Sequence, residues 1–293
     1  MTDKNSSRHI GVRPIGGRPI GGRPIGVFDS GLGGLSAVRE IRSILPHEEL
    51  VYFGDTGRVP YGTRSRETIR RYAAQDIRFL LSHADCKAVV VACGTVSANA
   101  LDELRQNNDV PIIGVIEPAV EAAARATKNG RIGVIATPST IASGAYERAL
   151  LANNPDFRVT SQACALFVPL VENGFVDADD PIPCLTAERY LAPIRESGAD
   201  TLILGCTHYP LLSAVISRVL PGVTLIDTGR EAANSLRTLL SERGLHTDST
   251  APAASRFYVS DEPQGFALAA ARFLGLSENE ALPTVERVNI AAY

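Results

Sequence analysis

The run Ala88-Val89-Val90-Val91-Ala92-Cys93-Gly94-Thr95 has a counterpart later in the chain, Thr201-Leu202-Ile203-Leu204-Gly205-Cys206-Thr207-His208. Each is a short apolar stretch that ends in small residues and a cysteine. A continuous apolar run of that length suits a strand buried on both faces, as in a parallel sheet. Ligands of open α/β sheets gather beyond the carboxyl ends of such strands. The two cysteines therefore stand where chemistry would be done, one in each half of the chain.

Working outward, Ile25-Gly26-Val27-Phe28-Asp29-Ser30 precedes the first cysteine strand much as Ile132-Gly133-Val134-Ile135-Ala136-Thr137 precedes the second. A further strand follows each, at Val110–Val115 and at Val223–Asp227. Between strands lie amphipathic helices. Ile69, Tyr72, Ala73, Ile77, Leu80 and Leu81 form one apolar stripe, with Arg70, Arg71 and Arg78 off it. This alternation predicts an α/β fold of two pseudo-symmetric domains with mostly parallel central sheets. The expected division is 23–115 plus 226–293 for the first domain and 116–225 for the second. Facing each other, the two would bring both cysteines to one interdomain cleft.

The 293 residues, 45% apolar, are enough for two cores. A formal charge of -3 and a pI near 6.0 give no reason to expect nucleic acid or an anionic membrane as partner. No stretch approaches the roughly 20 apolar residues of a membrane span, and the first residues lack the apolar core of a secretory signal. Five cysteines without a C-x-x-C pair suit a reducing compartment. The expected location is the cytoplasm. At the N-terminus, Arg13-Pro14-Ile15-Gly16-Gly17 recurs from Arg18 and again from Arg23. Residues 1–22, rich in Gly and Pro, are expected to be a disordered repeat.

Around the cysteines stand the candidate site residues. Asp29-Ser30-Gly31-Leu32-Gly33-Gly34 allows a tight turn with free backbone N–H groups, a place for a small anion such as a carboxylate. Asp29 could meet an amine, move a proton, or simply cap the next helix. A lone strand-end cysteine is usually a small buried hydrophobe. Two in matched positions, each followed by a hydroxyl residue and expected ahead of a helix, point instead to reactive thiols. His208 can pair with Cys206 or deliver a proton. Pro60-Tyr61-Gly62 could offer a phenol and a backbone N–H, or be an ordinary turn. Thr95, Thr137, Thr140 and Thr207 add hydroxyls, and Glu172 is either an acid–base auxiliary or a solvated carboxylate. The remaining histidines show no metal-ligand spacing. Cys86, Cys164 and Cys184 read as structural.

Taken in order, Asp29-Ser30-Gly31, Pro60-Tyr61-Gly62, the Cys93 strand end and Gly205-Cys206-Thr207-His208-Tyr209-Pro210 resemble the glutamate racemases of the cofactor-independent aspartate/glutamate racemase family. The resemblance spans about residues 24–275. It implies racemisation of glutamate with Cys93 and Cys206 as the two acid–bases, and a supply of D-glutamate for peptidoglycan. It assigns Asp29 to assist Cys93, and His208 with Glu172 to assist Cys206. Asp29, Ser30, Pro60, Tyr61, Gly62, Gly94, Thr95, Thr137, Thr207 and His208 are implied to contact substrate. No cofactor or metal is implied, and a homodimer is. Gly94 stands where the family usually has Asn, so it can offer only its backbone N–H. Aspartate or another amino acid as substrate, or binding without turnover, are the competing readings.

Overall fold

The computed structural model describes residues 19–277, 280 and 283–293. The strands of the first half are β1 (Ile25–Asp29), β2 (Leu50–Gly54), β3 (Ala88–Val91) and β4 (Ile112–Ile113). The second half adds β5 (Arg131–Ala136), β6 (Arg158–Ala163), β7 (Thr201–Leu204) and β8 (Thr224–Asp227). The chain then returns with β9 (Ser255–Val259) and β10 (Val285–Arg287). They form a six-stranded sheet, order β10-β9-β2-β1-β3-β4, and a four-stranded sheet, order β6-β5-β7-β8. Among the described residues all the strand pairings are parallel.

The two cysteine strands hold equivalent places. β3 lies beside β1 with Phe28 opposite Val91, and β7 lies beside β5 with Ile135 opposite Leu204. Ser30 and Thr137, two residues past these partners, therefore flank the two cysteines in matching fashion, with Asp29 one residue before Ser30. The expected division at 225/226 falls inside β8, whose partner is β7 of the second sheet. Thr224 and Leu225 cannot be parted from Ile226 and Asp227 without cutting a ladder, so that sheet runs to Asp227.

Apolar spacing explains the layers. The helix Leu35–Ile44 buries Leu35, Val38 and Ile41, and the helix Thr228–Glu242 packs on it through Leu236 and Leu240. On the other face, the helix Arg66–Ala84 sets Ile69, Ala73, Ile77 and Leu80 against Phe28, Val51, Val89 and Val91. Fully burying each such Ile or Leu side chain stabilises by roughly 1.5–3 kcal/mol. The stripe read from sequence is this face, with Tyr72 and Leu81 at its partly covered margin. No described helix is long and apolar enough to cross a membrane.

Of the repeat expected to be disordered, residues 1–18 lie outside the described residues. Residues 19–22 correct the expectation. Ile20–Gly22 forms a helical turn closed by Gly22 N–H to the Pro19 carbonyl at 2.9 Å. The Gly21 carbonyl accepts from Lys87 Nζ at 2.5 Å, and that ammonium is buried and paired with Glu48 at 2.6 Å. A buried ammonium needs hydrogen-bond acceptors as well as a counter-charge, and the second copy of the repeat supplies one of them.

Candidate active site

Between the carboxyl ends of the two sheets lies a cleft of about 370 Å³. Every candidate site residue lines it except Asp29, which is buried just behind Ser30, and Thr140, which is buried behind Thr137. Both Cys93 and Cys206 face this one cavity. No lining residue among those described is Lys or Arg. A carboxylate entering here would be held by hydroxyls, backbone N–H groups and His208.

Cys93 is the N-cap of the helix Gly94–Asn99, where the nearby backbone N–H of Val96 favours the thiolate. Its thiol also contacts Ser30 Oγ at 3.6 Å. Burial pushes the Cys93 thiol up to about 12, with the Asp29 carboxylate adding to the rise and the Val96 and Ser30 contacts opposing it. Asp29 Oδ2 accepts from Gly31 N–H at 3.0 Å, and Oδ1 has no hydrogen-bond partner. Burial raises the Asp29 carboxyl, while the charge of His208 and the N–H groups of Gly34, Gly31 and Ser30 pull it back. These contacts lie in the turn ahead of the first helix, so Asp29 is not the simple helix cap that one reading allowed.

Cys206 differs from expectation. No α-helix starts behind it. Pro210 shapes a short 3-10 turn, Tyr209–Leu212, and the α-helix begins only at Ser213. The helix terminus is replaced by an imidazole: His208 Nδ1 lies 3.8 Å from Cys206 Sγ, and Nε2 lies 3.0 Å from Glu172 Oε1. Burial opposes a charge on His208, yet the hydrogen bonds with Cys206 and Glu172 and the nearby Asp29 carry its pKa up to about 10. At neutral pH His208 thus holds both ring protons, one directed at Cys206. Glu172 is tied in turn by Arg272, which donates to the Val171 carbonyl at 3.1 Å.

Glycines let the halves meet. A Cβ at Gly33 would stand 2.1 Å from Thr207 Oγ1 and 2.5 Å from His208 Nδ1. A Cβ at Gly94 would stand 2.5 Å from the Gly205 carbonyl oxygen, so the residue that departs from the family pattern is the one this approach of main chains requires. Thr95 and Thr137, from opposite sheets, join hydroxyls at 3.0 Å, and Thr140 lies 2.9 Å from Thr137. Gly62 abuts Thr137.

One expected donor is already engaged. The Tyr61 hydroxyl is buried and bonded to Asp55 and Asp76, so only the ring and the Gly62 backbone can face a ligand. Sequence reasoning missed Tyr52, whose hydroxyl donates to the Gly31 carbonyl at 2.6 Å and fixes the Asp29 turn. It also missed Ser36, which donates to the Thr207 carbonyl at 2.9 Å across the sheets. Neither residue sits in a motif; only the polar tip of an otherwise apolar position marks them. Cys86, Cys164 and Cys184 lie outside the cleft, their sulfurs directed at carbonyls of Leu80, Gln162 and Ala178.

Residues 33–236 match the family described as Asp/Glu/Hydantoin racemase. A glutamate racemase of Geobacter metallireducens is 47% identical over 250 residues, covering 85% of this chain and 92% of the relative. The crystal structure of glutamate racemase from Francisella tularensis in complex with D-glutamate superposes with a TM-score of 0.85 at 40% identity, covering 93% of this chain and 100% of that one. The Thermus thermophilus glutamate racemase in complex with β-chloro-D-alanine gives a TM-score of 0.83 at 40% identity, over 93% of this chain and 99% of that one.

Proposed function

The chain belongs to the Asp/Glu/hydantoin racemase family and is an isomerase, and from that premise we propose that it interconverts L- and D-glutamate by proton transfer between two cysteines. One sulfur takes the α-proton as the Cα–H bond breaks. The thiol on the opposite face then gives its proton to the other side of the planar carbon. A single base would return the proton to the face it left, so inversion needs a group on each side. The observation that carries this reading is that Cys93 and Cys206 line one cleft with a different protonating group behind each.

The hard step is carbon acidity. As the α-carboxylate takes on enediolate charge, preorganised donors must already face it. Ser30, Thr95 and Thr207 suit that task, with the backbone N–H of Gly94. Asp29 resets Cys93, and His208, held by Glu172, resets Cys206. General acid–base transfer supplies about 10²–10⁴-fold, so electrostatic stabilisation in the closed cleft accounts for much of the rest. In a bacterial cell the D-glutamate would serve peptidoglycan. Family resemblance also supports a cytoplasmic homodimer, which sedimentation of the purified chain would test, and two domains meeting at the cleft.

The deciding experiment is incubation with D- or L-glutamate in heavy water. Deuterium should enter the α-position of each enantiomer while optical activity decays. No exchange would reduce the chain to a binding protein, and exchange with aspartate alone would reassign the substrate.

A further inference from the structure

Behind the cleft wall four polar side chains close on one another. Asp55, just after β2, and Asp76, midway along the helix Arg66–Ala84, are wholly buried. Arg58 Nε donates to Asp55 Oδ2 at 2.6 Å, and a terminal nitrogen donates to Asp76 Oδ1 at 2.9 Å. The guanidinium also lies 4.1 Å from the centre of the Tyr72 ring. The Tyr61 hydroxyl is hydrogen-bonded to Asp55 Oδ2 and lies 3.1 Å from Asp76 Oδ2.

Two arguments fix where the protons are. A phenol has one hydrogen and cannot donate to both carboxylates; the second contact needs a proton on an aspartate. Charge agrees: one guanidinium balances one carboxylate, and an uncompensated buried anion beside another is strongly disfavoured. The shorter Arg58 contact selects Asp55 as the anion. Burial and the neighbouring Asp55 charge also raise Asp76 well above the usual carboxylate range.

We propose that Asp76 is a neutral acid that donates to the Tyr61 oxygen, while Tyr61 and Arg58 both donate to ionised Asp55, and that this chain of hydrogen bonds positions the Tyr61–Gly62 edge of the cleft. Asp76 does not line the cleft. It acts through Tyr61, whose phenol is held away from the cleft so that Gly62 meets Thr137 and leaves its backbone N–H at the site.

The test compares Asp76→Asn with Asp76→Leu in the full chain. The amide can replace the acid as donor, so Asp76→Asn should keep the KM for glutamate within about threefold of the unsubstituted chain, whereas Asp76→Leu should raise it about tenfold with kcat little changed, the size expected for one buried hydrogen bond. Infrared difference spectra at pH 7 should show a protonated-carboxyl band of the parent chain missing from Asp76→Asn. That arm needs no substrate, so it stands even if the racemase reading fails. The proposal is overturned if the band is unchanged, if Asp76→Asn is impaired as much as Asp76→Leu, or if Asp76→Leu binds normally. Should Asp76→Leu not fold, the Asn variant's band and KM decide alone.

Discussion

The two cysteine neighbourhoods share a frame and differ in chemistry. Cys93 ends β3 at the start of a helix, with Asp29 and Ser30 beside it and a thiol pushed up to about 12. Cys206 ends β7 before a 3-10 turn, with a protonated imidazole beside it and a carboxylate behind that. Burial holds the proton on the Cys93 sulfur, while on the other side the imidazole of His208 carries the raised pKa. A duplicated scaffold has thus been furnished asymmetrically, with a carboxylate and a hydroxyl behind one sulfur and an imidazole behind the other.

Removing either sulfur breaks the comparison most severely. Cys93→Ala and Cys206→Ala should each lower racemisation by about 10²–10⁴-fold, the worth of a positioned acid–base group. Each variant should still eliminate chloride from a β-chloro amino acid of one hand only, because elimination needs a base on a single face. The two variants should prefer opposite hands, read by circular dichroism. Near-normal racemisation by either would sink the two-base scheme.

Gly33→Ala comes next. Its methyl would land on Thr207 Oγ1 and His208 Nδ1, at 2.1 and 2.5 Å, and so press first on the Cys206 side. A shift of that order costs about 10²-fold in turnover, with little effect on the Asp29 turn. Stopped-flow α-exchange from each enantiomer would show which direction suffers.

His208→Asn sharpens the comparison further. Glutamate enantiomers are equal in free energy, so kcat/KM must fall equally in both directions, by about 10–100-fold for a lost acid–base partner. The asymmetry should appear as unequal changes in kcat and KM, absent in Asp29→Asn or reversed there. Acidity offers a companion measurement. Folded His208 keeps its proton up to about 10, against 6.5 for an ordinary histidine. Its raised value means its stabilising contribution is fully present below about 6.5 and is lost as pH rises through about 10. Melting temperature should therefore fall across that window in the parent chain and more shallowly in His208→Asn. Glu172→Gln should do least: its side chain is 42% exposed, so screening leaves a loss of only about two- to fivefold in turnover.

Much of this architecture is legible in residues. The apolar runs ending at Cys93 and Cys206 mark central strands because both faces are covered, and the matched strands before them locate Asp29 and Thr137. β6 escapes, since Arg158-Val159-Thr160-Ser161-Gln162-Ala163 is a half-exposed edge with no apolar signal. β10, three residues long, is too short to show a pattern of its own and takes its place by pairing with β9 and by setting Val285 against the core. The helix expected after Cys206 fails because Pro210 and the His208 contacts favour a tighter turn. Tyr61 misleads for another reason: its phenol is captured by Asp55 and Asp76, residues close in space that no local pattern links.

At the floor of the cleft, Gly94 rests on the Gly205 carbonyl with no side chain from either between them. Such a contact acts as a hard stop: it dictates how near the halves can come, yet nothing interlocks there to hinder their parting. A molecule entering or leaving need unpick no packed side chain at that point. The separation of the two cysteine-bearing strand ends is set there by bare main chain, with no side chain to compress or rotate.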